Sequence, residues 1–152
     1  MYFWTSDHLH PENITYLKSL PEQTDFKVGG LRIGIFHGTL EDPDEELFPS
    51  APESRFRQLA GDSTFQVHIM GHSHEPYYKI VDGVHFINPG SVGRMFDGDP
   101  RASFAILEVG SGKIAVENFR IPYAVEKVVR GLKKQKLPDI YGKMFQVGKK
   151  LN

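Results

Sequence analysis

Residues 65–74 read Phe-Gln-Val-His-Ile-Met-Gly-His-Ser-His, in which an apolar run leads into a glycine and two histidines. The run over 65–70 is short and apolar, which predicts a buried β-strand. Such a strand would deliver His72 and His74 into the loop that follows it. Polar groups just beyond strand ends are typical of binding sites in open α/β sheets. We therefore expect this stretch to organise both the sheet and the functional site.

Three β-hairpins are predicted around this strand. Gly29-Gly30 and Asp82-Gly83 are turn pairs that favour two-residue loops, and Gly110-Ser111-Gly112 suits a longer one. The predicted strands cover 25–28, 31–36, 77–81, 84–87, 102–109 and 113–120. In the first hairpin we expect inward-facing side chains at Phe26, Val28, Leu31, Ile33 and Ile35.

Helices are predicted towards both ends of the chain. Proline near the helix start, glycine after the helix end and apolar spacing near 3.6 residues indicate helices over 11–20, 52–60, 124–132 and 138–147. The segments 39–51 and 88–100 are rich in Pro, Gly and acidic residues and are predicted as loops. The pattern favours an α/β fold with several β-hairpins and C-terminal helices.

The composition fits one globular domain covering residues 1–152. Apolar residues make up 39% and charged residues 24%, and 18 basic against 19 acidic side chains give a net charge of -1. That balance gives no electrostatic case for nucleic acid or an anionic membrane. Cysteine is absent, so a metal ion would need histidine and oxygen ligands. No apolar run suggests a membrane span, and we expect a cytoplasmic protein.

Three of the seven histidines, His37, His72 and His74, directly follow predicted strands. Neutral imidazole is a good ligand for Mn, Fe, Ni or Zn, and we predict a metal site formed by these three residues. In an extended segment His72 and His74 would point the same way, so they could bridge one ion or bind two neighbouring ions. The alternative is that they are loop histidines bonded to backbone. The other four, His8, His10, His68 and His85, are predicted to be packing or surface residues.

The chain resembles the calcineurin-like metallophosphoesterases at three motifs in order, Gly34-Ile-Phe-His37-Gly38, Gly71-His72-Ser73-His74 and Asn88-Pro-Gly-Ser-Val-Gly93. It is most similar to a branch of small bacterial phosphoesterases. The residues that carry this closer likeness are Trp4-Thr5, Pro11-Glu12-Asn13, Leu17, Ser19-Leu20-Pro21, Asp97-Gly-Asp-Pro-Arg-Ala-Ser103 and Leu137-Pro138. The resemblance therefore covers nearly all of the chain.

The resemblance implies a four-layer αββα sandwich, of which this chain would be the C-terminal portion. It also implies hydrolysis of phosphomonoesters or phosphodiesters of small substrates by a hydroxide activated between two divalent ions. His37 and His72 would ligate one ion, and His74 the other. Arg94 and Arg101 are candidate substrate contacts, although ion pairing with the nearby Asp97 and Asp99 is the competing interpretation for Arg101.

Three family motifs are absent, namely Asp-x-His, Gly-Asp and Gly-Asn-His-Asp, which would supply the carboxylates and further ligands. We therefore expect a truncated chain that is weak or inactive alone and holds at most one ion weakly. One alternative is a non-catalytic interaction module, and another is one part of a split enzyme. An incomplete sandwich would expose an apolar face, so we expect a homodimer or larger oligomer that covers it.

Overall fold

The computed structural model describes residues 2–110 and 113–151. Its helices are α1 (Tyr2–His8), α2 (Pro11–Ser19), α3 (Glu53–Gly61), α4 (Val125–Lys134) and α5 (Asp139–Val147). Its strands are β1 (Gln23–Val28), β2 (Leu31–Phe36), β3 (Val67–Ile69), β4 (Tyr77–Val81), β5 (Val84–Asn88), β6 (Ala102–Gly110) and β7 (Lys113–Ile121). The mixed α/β class is confirmed. Helix α1 was not predicted, and β3 is only three residues long.

Five strands form one mixed sheet in the order β1-β2-β3-β5-β4. The three central strands β2, β3 and β5 are parallel, and the edge strands β1 and β4 pair antiparallel to their neighbours. Because parallel strands end at the same side of a sheet, the loops after β2, β3 and β5 collect at one edge. That edge carries all three histidine and asparagine motifs.

The two predicted two-residue turns are confirmed. Gly29 and Gly30 have φ of 57° and 81°, and Asp82 and Gly83 have φ of 50° and 80°. Positive φ at both central residues matches the right-handed twist of the flanking strands, which is why glycine is favoured there. The third hairpin, β6–β7, also forms, but Ser111 and Gly112 of its predicted turn lie outside the described residues.

One face of the five-stranded sheet is filled by an aromatic core. Helix α3 lies on this face and buries Phe56 and Leu59 completely. The Phe56 ring meets the buried Phe86 ring of β5 edge-to-face, with centroids 5.2 Å apart. Burial of such a side chain stabilises the fold by roughly 2–3 kcal/mol. This core fixes the strands that carry the histidine loops.

The opposite face of the sheet is only partly covered. The β6–β7 hairpin packs Leu107 and Val109, among others, against a cluster of Ile33, Val67 and Ile87. The neighbouring β1 residues are left outside this contact, and a groove of about 660 Å³ opens there. Its lining residues are Phe26, Lys27, Val28, Ile33, Ile69, Leu107 and Val109.

The prediction that Phe26 and Val28 face a core is wrong, because they are 44% and 41% exposed. Their alternation along β1 is correct, since Phe26 lies opposite the buried Ile33 and Val28 lies opposite Leu31. The two-stranded second sheet is too narrow to reach them. Burial at these positions therefore depends on a neighbouring layer and not on the strand pattern itself.

The β6–β7 hairpin is also apolar on its outer face. Phe104, Ile106 and Ile121 are 39–48% exposed there, and Phe104 stacks on Phe119. Strands with apolar side chains on both faces are typical of sheets covered on both sides. Among the described residues, only the inner face of this hairpin is packed against another sheet.

The C-terminal helices α4 and α5 pack against each other. Gly142 lets α5 approach the buried Val129 of α4.

Among the described residues, no helix is long and apolar enough to cross a membrane.

Candidate functional site

The three loops at the shared edge of the sheet are joined by hydrogen bonds. The Gly71 N–H donates to the His37 carbonyl oxygen at 2.9 Å. The side-chain amide of the buried Asn88 donates to the Gly71 carbonyl at 2.8 Å and to Ser73 Oγ at 3.0 Å. The loops after β2, β3 and β5 therefore hold one another in place, and the histidines lie on a fixed frame.

The loop after β5 is ordered by its own polar side chains. Asn88 Oδ1 accepts a hydrogen bond from the Gly90 N–H at 2.9 Å, and Ser91 Oγ accepts one from the Arg94 N–H at 3.2 Å. Asparagine and serine commonly satisfy turn amides in this way. These two side chains serve the backbone in this structure.

His37 and His72 form a close pair. His72 Nδ1 lies 2.8 Å from His37 Nε2, and the ring centroids are 4.6 Å apart. Two imidazole nitrogens bound to one ion at about 2.1 Å would be separated by roughly 3.0–3.4 Å. The pair therefore fits two adjacent ligands of one ion after a small opening. His37 is exposed and His72 half-buried, so the pair is reachable from solvent.

His74 is oriented differently. Its Nδ1–H donates to the Arg94 carbonyl at 2.6 Å, and its ring stacks on Phe96 with centroids 4.7 Å apart. Metal-binding histidines usually donate one ring N–H to a carbonyl or carboxylate and bind the ion with the other nitrogen. Burial lowers the pKa of His74 below its usual value and outweighs the hydrogen bond to the Arg94 carbonyl, which acts in the opposite direction. The lowered pKa favours the neutral imidazole that binds metal.

The backbone of this loop contradicts the predicted extended geometry. His72 and His74 have φ of 59° and 53°, in the left-handed region, and Ser73 is completely buried between them. The bond from Asn88 to Ser73 holds this conformation. The two histidines consequently meet different partners, His37 in one case and Arg94 in the other. Alternation along a strand does not explain their directions.

The acidic side chains near the histidines do not complete a set of metal ligands among the described residues. Among the residues that the structure describes, no group of three or more His, Cys, Asp or Glu side chains is placed to hold an ion. Two acidic side chains of the loop after His37 instead bind Arg55 of α3, Glu41 at 2.8 Å and Glu45 at 2.6 Å. Hydrogen bonding to Arg55 keeps the pKa of Glu45 below its usual value. These carboxylates anchor the loop to α3.

The two arginine candidates have different surroundings. Arg101 forms a two-pronged ion pair with Asp99, at 2.6 Å for the shorter contact, and this pair lowers the pKa of Asp99 to about 2. Arg94 is paired with no carboxylate within the described ranges. Its guanidinium carbon lies 5.3 Å from the ring centre of Phe96 and 5.8 Å from that of Tyr141. Substrate contact by either arginine stays a prediction.

The sequence model of the calcineurin-like phosphoesterase superfamily domain matches residues 9–112, a range that contains all three motifs. The chain belongs to this superfamily. The resemblance inferred from the motifs is therefore confirmed. The matched range runs from α2 through β6, and β7, α4 and α5 lie beyond it.

Two archaeal relatives have recognisably similar sequences. An uncharacterized protein of Methanocaldococcus jannaschii is 29% identical over 163 residues, which cover 96% of this chain and 64% of the relative. A "Probable metallophosphoesterase" of Methanothermobacter thermautotrophicus is 28% identical over 102 residues, covering 66% of this chain and 53% of the relative. The chain thus spans about half to two thirds of the length of these two relatives.

Two crystal structures share the fold. A hypothetical protein from Pyrococcus horikoshii OT3 superimposes with a TM-score of 0.81 at 23% identity, covering 91% of this chain and 55% of that one. A metallophosphoesterase from Sphaerobacter thermophilus gives 0.80 at 24% identity, covering 96% and 65%. At this level of identity the likeness shows the fold alone.

Sequence reasoning missed the contribution of the C-terminus to this region. Lys150 donates a hydrogen bond to Glu46 at 2.8 Å, and its ammonium lies 5.9 Å from the ring centre of Phe96. The two charged residues are 104 positions apart, so no local pattern links them. The sequence predicts Phe96 only as part of the loop over 88–100. Its stacking on His74 is visible only in the folded chain.

Proposed function

We propose that this chain carries one wall of a metal-dependent phosphoesterase site that hydrolyses small phosphomonoesters or phosphodiesters. The observation that supports this most directly is the His37–His72 pair, whose ring nitrogens lie 2.8 Å apart where two parallel strands end. Membership of the calcineurin-like superfamily supports the same reaction class.

In this proposal His37 and His72 hold one divalent transition metal, with Mn, Fe, Ni and Zn all suited to imidazole. His74, oriented by the Arg94 carbonyl, would offer Nε2 to a second ion. A bound metal would supply Lewis-acid polarisation of the phosphoryl oxygens and activation of water. Without carboxylates to balance two dications, we expect this chain alone to hold at most one ion, weakly.

The two matched relatives are longer than this chain, which supports a second part of the proposal. The remaining ligands would come from polypeptide outside these 152 residues, either in the same chain or in a separate one.

A non-catalytic interaction module on the same fold is the second candidate. It is favoured by the open apolar groove and by the lack of a three-ligand group among the described residues.

Metal titration by calorimetry, paired with a bis-aryl phosphate hydrolysis assay, tests the proposal. We expect Mn²⁺ or Zn²⁺ to bind below one ion per chain, and His72→Ala to weaken binding at least ten-fold, because one of two ligands is lost. His10→Ala serves as the matched control, because it removes an exposed histidine that is distant in sequence from His72. Supplying the residues upstream of this chain should raise turnover.

Two results would contradict these expectations. Tight binding of two ions by this chain alone, with vigorous turnover abolished by His72→Ala, would show that the site is complete as it stands. Metal binding unaffected by His72→Ala, together with no hydrolysis by the extended chain, would instead favour the non-catalytic module.

A further inference from the structure

We propose that Arg94 and Lys150 form a binding site for the phosphate group of an anionic ligand beside His74, and that Glu46 occupies Lys150 until that ligand arrives. The inference rests on the proposed function, since it names the residues that would receive the phosphoester substrate. It adds a cationic contact, contributed by the C-terminal end of the chain, to the three histidines of the proposed metal site.

Arg94 is a cation without an anionic partner among the described residues. Its Nε is buried and forms no hydrogen bond, and its best polar contact is a weak one from Nη2 to the Met144 sulfur at 3.6 Å. The guanidinium stays charged at all accessible pH values, and burying an unpaired charge is costly. The rings of Phe96 and Tyr141 offset part of that cost. An anion bonded to the Nη groups would supply the missing counter-charge, while the buried Nε lies out of its reach.

Lys150 approaches the same aromatic ring from the C-terminal segment. The segment is held by a hydrogen bond from the Gly98 N–H to the Gly148 carbonyl at 2.8 Å. Gly148 itself has φ of 62°, and a Cβ there would come 2.6 Å from the Asp99 backbone. A glycine is therefore required for this close approach. The backbone is thus fixed two residues before Lys150, at Gly148.

Phe96 connects both cations to the histidine site. One contact of its ring is the stack on His74, and Arg94 and Lys150 lie 5.3 and 5.9 Å from its centre. In the proposed site the phosphate lies beside this ring, and hence near His74. That is the location at which the proposed metal site would need the phosphoryl group.

Glu46 shares this neighbourhood and is bound to Lys150 at 2.8 Å. The pKa of Glu46 lies below its usual value, first because Lys150 donates to it and further because His72 and His74 are close enough to contribute. The Glu46 carboxylate carries the same sign of charge as a phosphate. A phosphate would accept the Lys150 proton donor in its place and would add bonds to the Arg94 fork.

The chemistry selects a phosphate-like ligand over a carboxylate or a neutral one. A tetrahedral dianion offers three acceptor oxygens and can bind a guanidinium and an ammonium at once. A neutral ligand would leave Glu46 paired with Lys150 and would gain nothing from Arg94. The competing interpretation is that Arg94 only packs against the aromatic rings and α5.

Calorimetric titration of the metal-depleted protein with inorganic phosphate tests the site. We expect Arg94→Met and Lys150→Met each to weaken phosphate binding by roughly ten-fold, because each removes a charge-assisted hydrogen bond. Glu46→Gln should tighten binding several-fold, since Lys150 is released and a repelling carboxylate is neutralised. Lys149→Met removes an exposed neighbouring lysine and should change nothing.

A variant that fails to fold would bind phosphate more weakly. Because Glu46→Gln is expected to bind phosphate more tightly, its result cannot be explained by a general loss of folding. If Lys150→Met and Glu46→Gln both leave phosphate affinity at the wild-type value, or if Glu46→Gln weakens it, the inference is wrong. Because metal is removed first, failure of the phosphate site is distinguishable from failure of the phosphoesterase proposal. That proposal is judged by the effect of His72→Ala on metal binding.

Discussion

Both faces of the five-stranded sheet carry apolar side chains, but the two faces have different surroundings. On one face α3 buries Phe56 and Leu59 completely. On the other, the β6–β7 hairpin covers the centre and leaves Phe26 and Val28 more than 40% exposed. The histidine loops depend on the filled face, because β2, β3 and β5 are fixed by its core. The half-open face is available for further packing.

The largest difference in stability is expected between two phenylalanine truncations, one on each face of the sheet. Phe56→Ala should lower the free energy of unfolding by about 3–5 kcal/mol, because it leaves a cavity among buried rings. Phe26→Ala should cost less than about 1 kcal/mol, since its ring is already half in water. Urea denaturation followed by circular dichroism measures both. Equal losses would show that the second face is packed in solution.

Acidification probes the filled face through His68. This residue is completely buried beside Phe36 and Phe86, with Nε2 bonded to Ser63 Oγ, and burial lowers its pKa to about 4. An unfolded histidine has a pKa near 6.5, so between these values the unfolded chain binds the extra proton. Stability is therefore present above about pH 6.5 and is lost as the pH falls towards 4.

We expect His68 to account for about 2 kcal/mol of the loss in unfolding free energy between pH 7 and pH 5. His68→Gln should flatten that part of the pH profile, whereas the exposed His10→Gln should leave it unchanged. Denaturant titrations at the two pH values give the comparison. An unchanged profile in His68→Gln would mean that the ring is protonated inside the fold.

A substitution on the partly covered face of the sheet, beside the β6–β7 hairpin, should have the smallest effect on stability. It should nevertheless change the oligomeric state. The expected homodimer or larger oligomer would cover the groove beside Phe26 and Val28, because exposed apolar grooves of this size favour association. Phe26→Lys should shift sedimentation velocity towards the monomer while changing the unfolding free energy by less than about 1 kcal/mol. A wild-type chain that sediments only as a monomer would contradict this expectation.

Much of the secondary structure was predictable because its signals are local. The glycine turn pairs fixed the first two hairpins, and apolar periodicity located α4 and α5 within a few residues. Helix α1 was missed because its sequence has no regular apolar side. Its contacts, such as the stack of Trp4 on His8, leave only a weak signal in the sequence. Strand β3 was overestimated because an apolar run does not reveal where pairing stops.

The candidate site was predictable in its membership and unpredictable in its geometry. The motifs identified His37, His72 and His74, and the parallel strands bring their loops to one edge. The left-handed backbone at His72 and His74 depends on Asn88, which reaches the loop from another strand. Its effect cannot be read from the local sequence.

By itself the sequence determined the superfamily, the hairpin turns and the identity of the histidine candidates, because each depends on residue type at short spacing. Only the tertiary structure decided that His37 pairs with His72, that His74 rests on Phe96, and that Lys150 reaches Glu46 across 104 positions. It also decided that Phe26 and Val28 stay exposed. The physical reason is common to all of these: burial and long-range contact depend on which layer arrives opposite a residue, and that layer is encoded elsewhere in the chain.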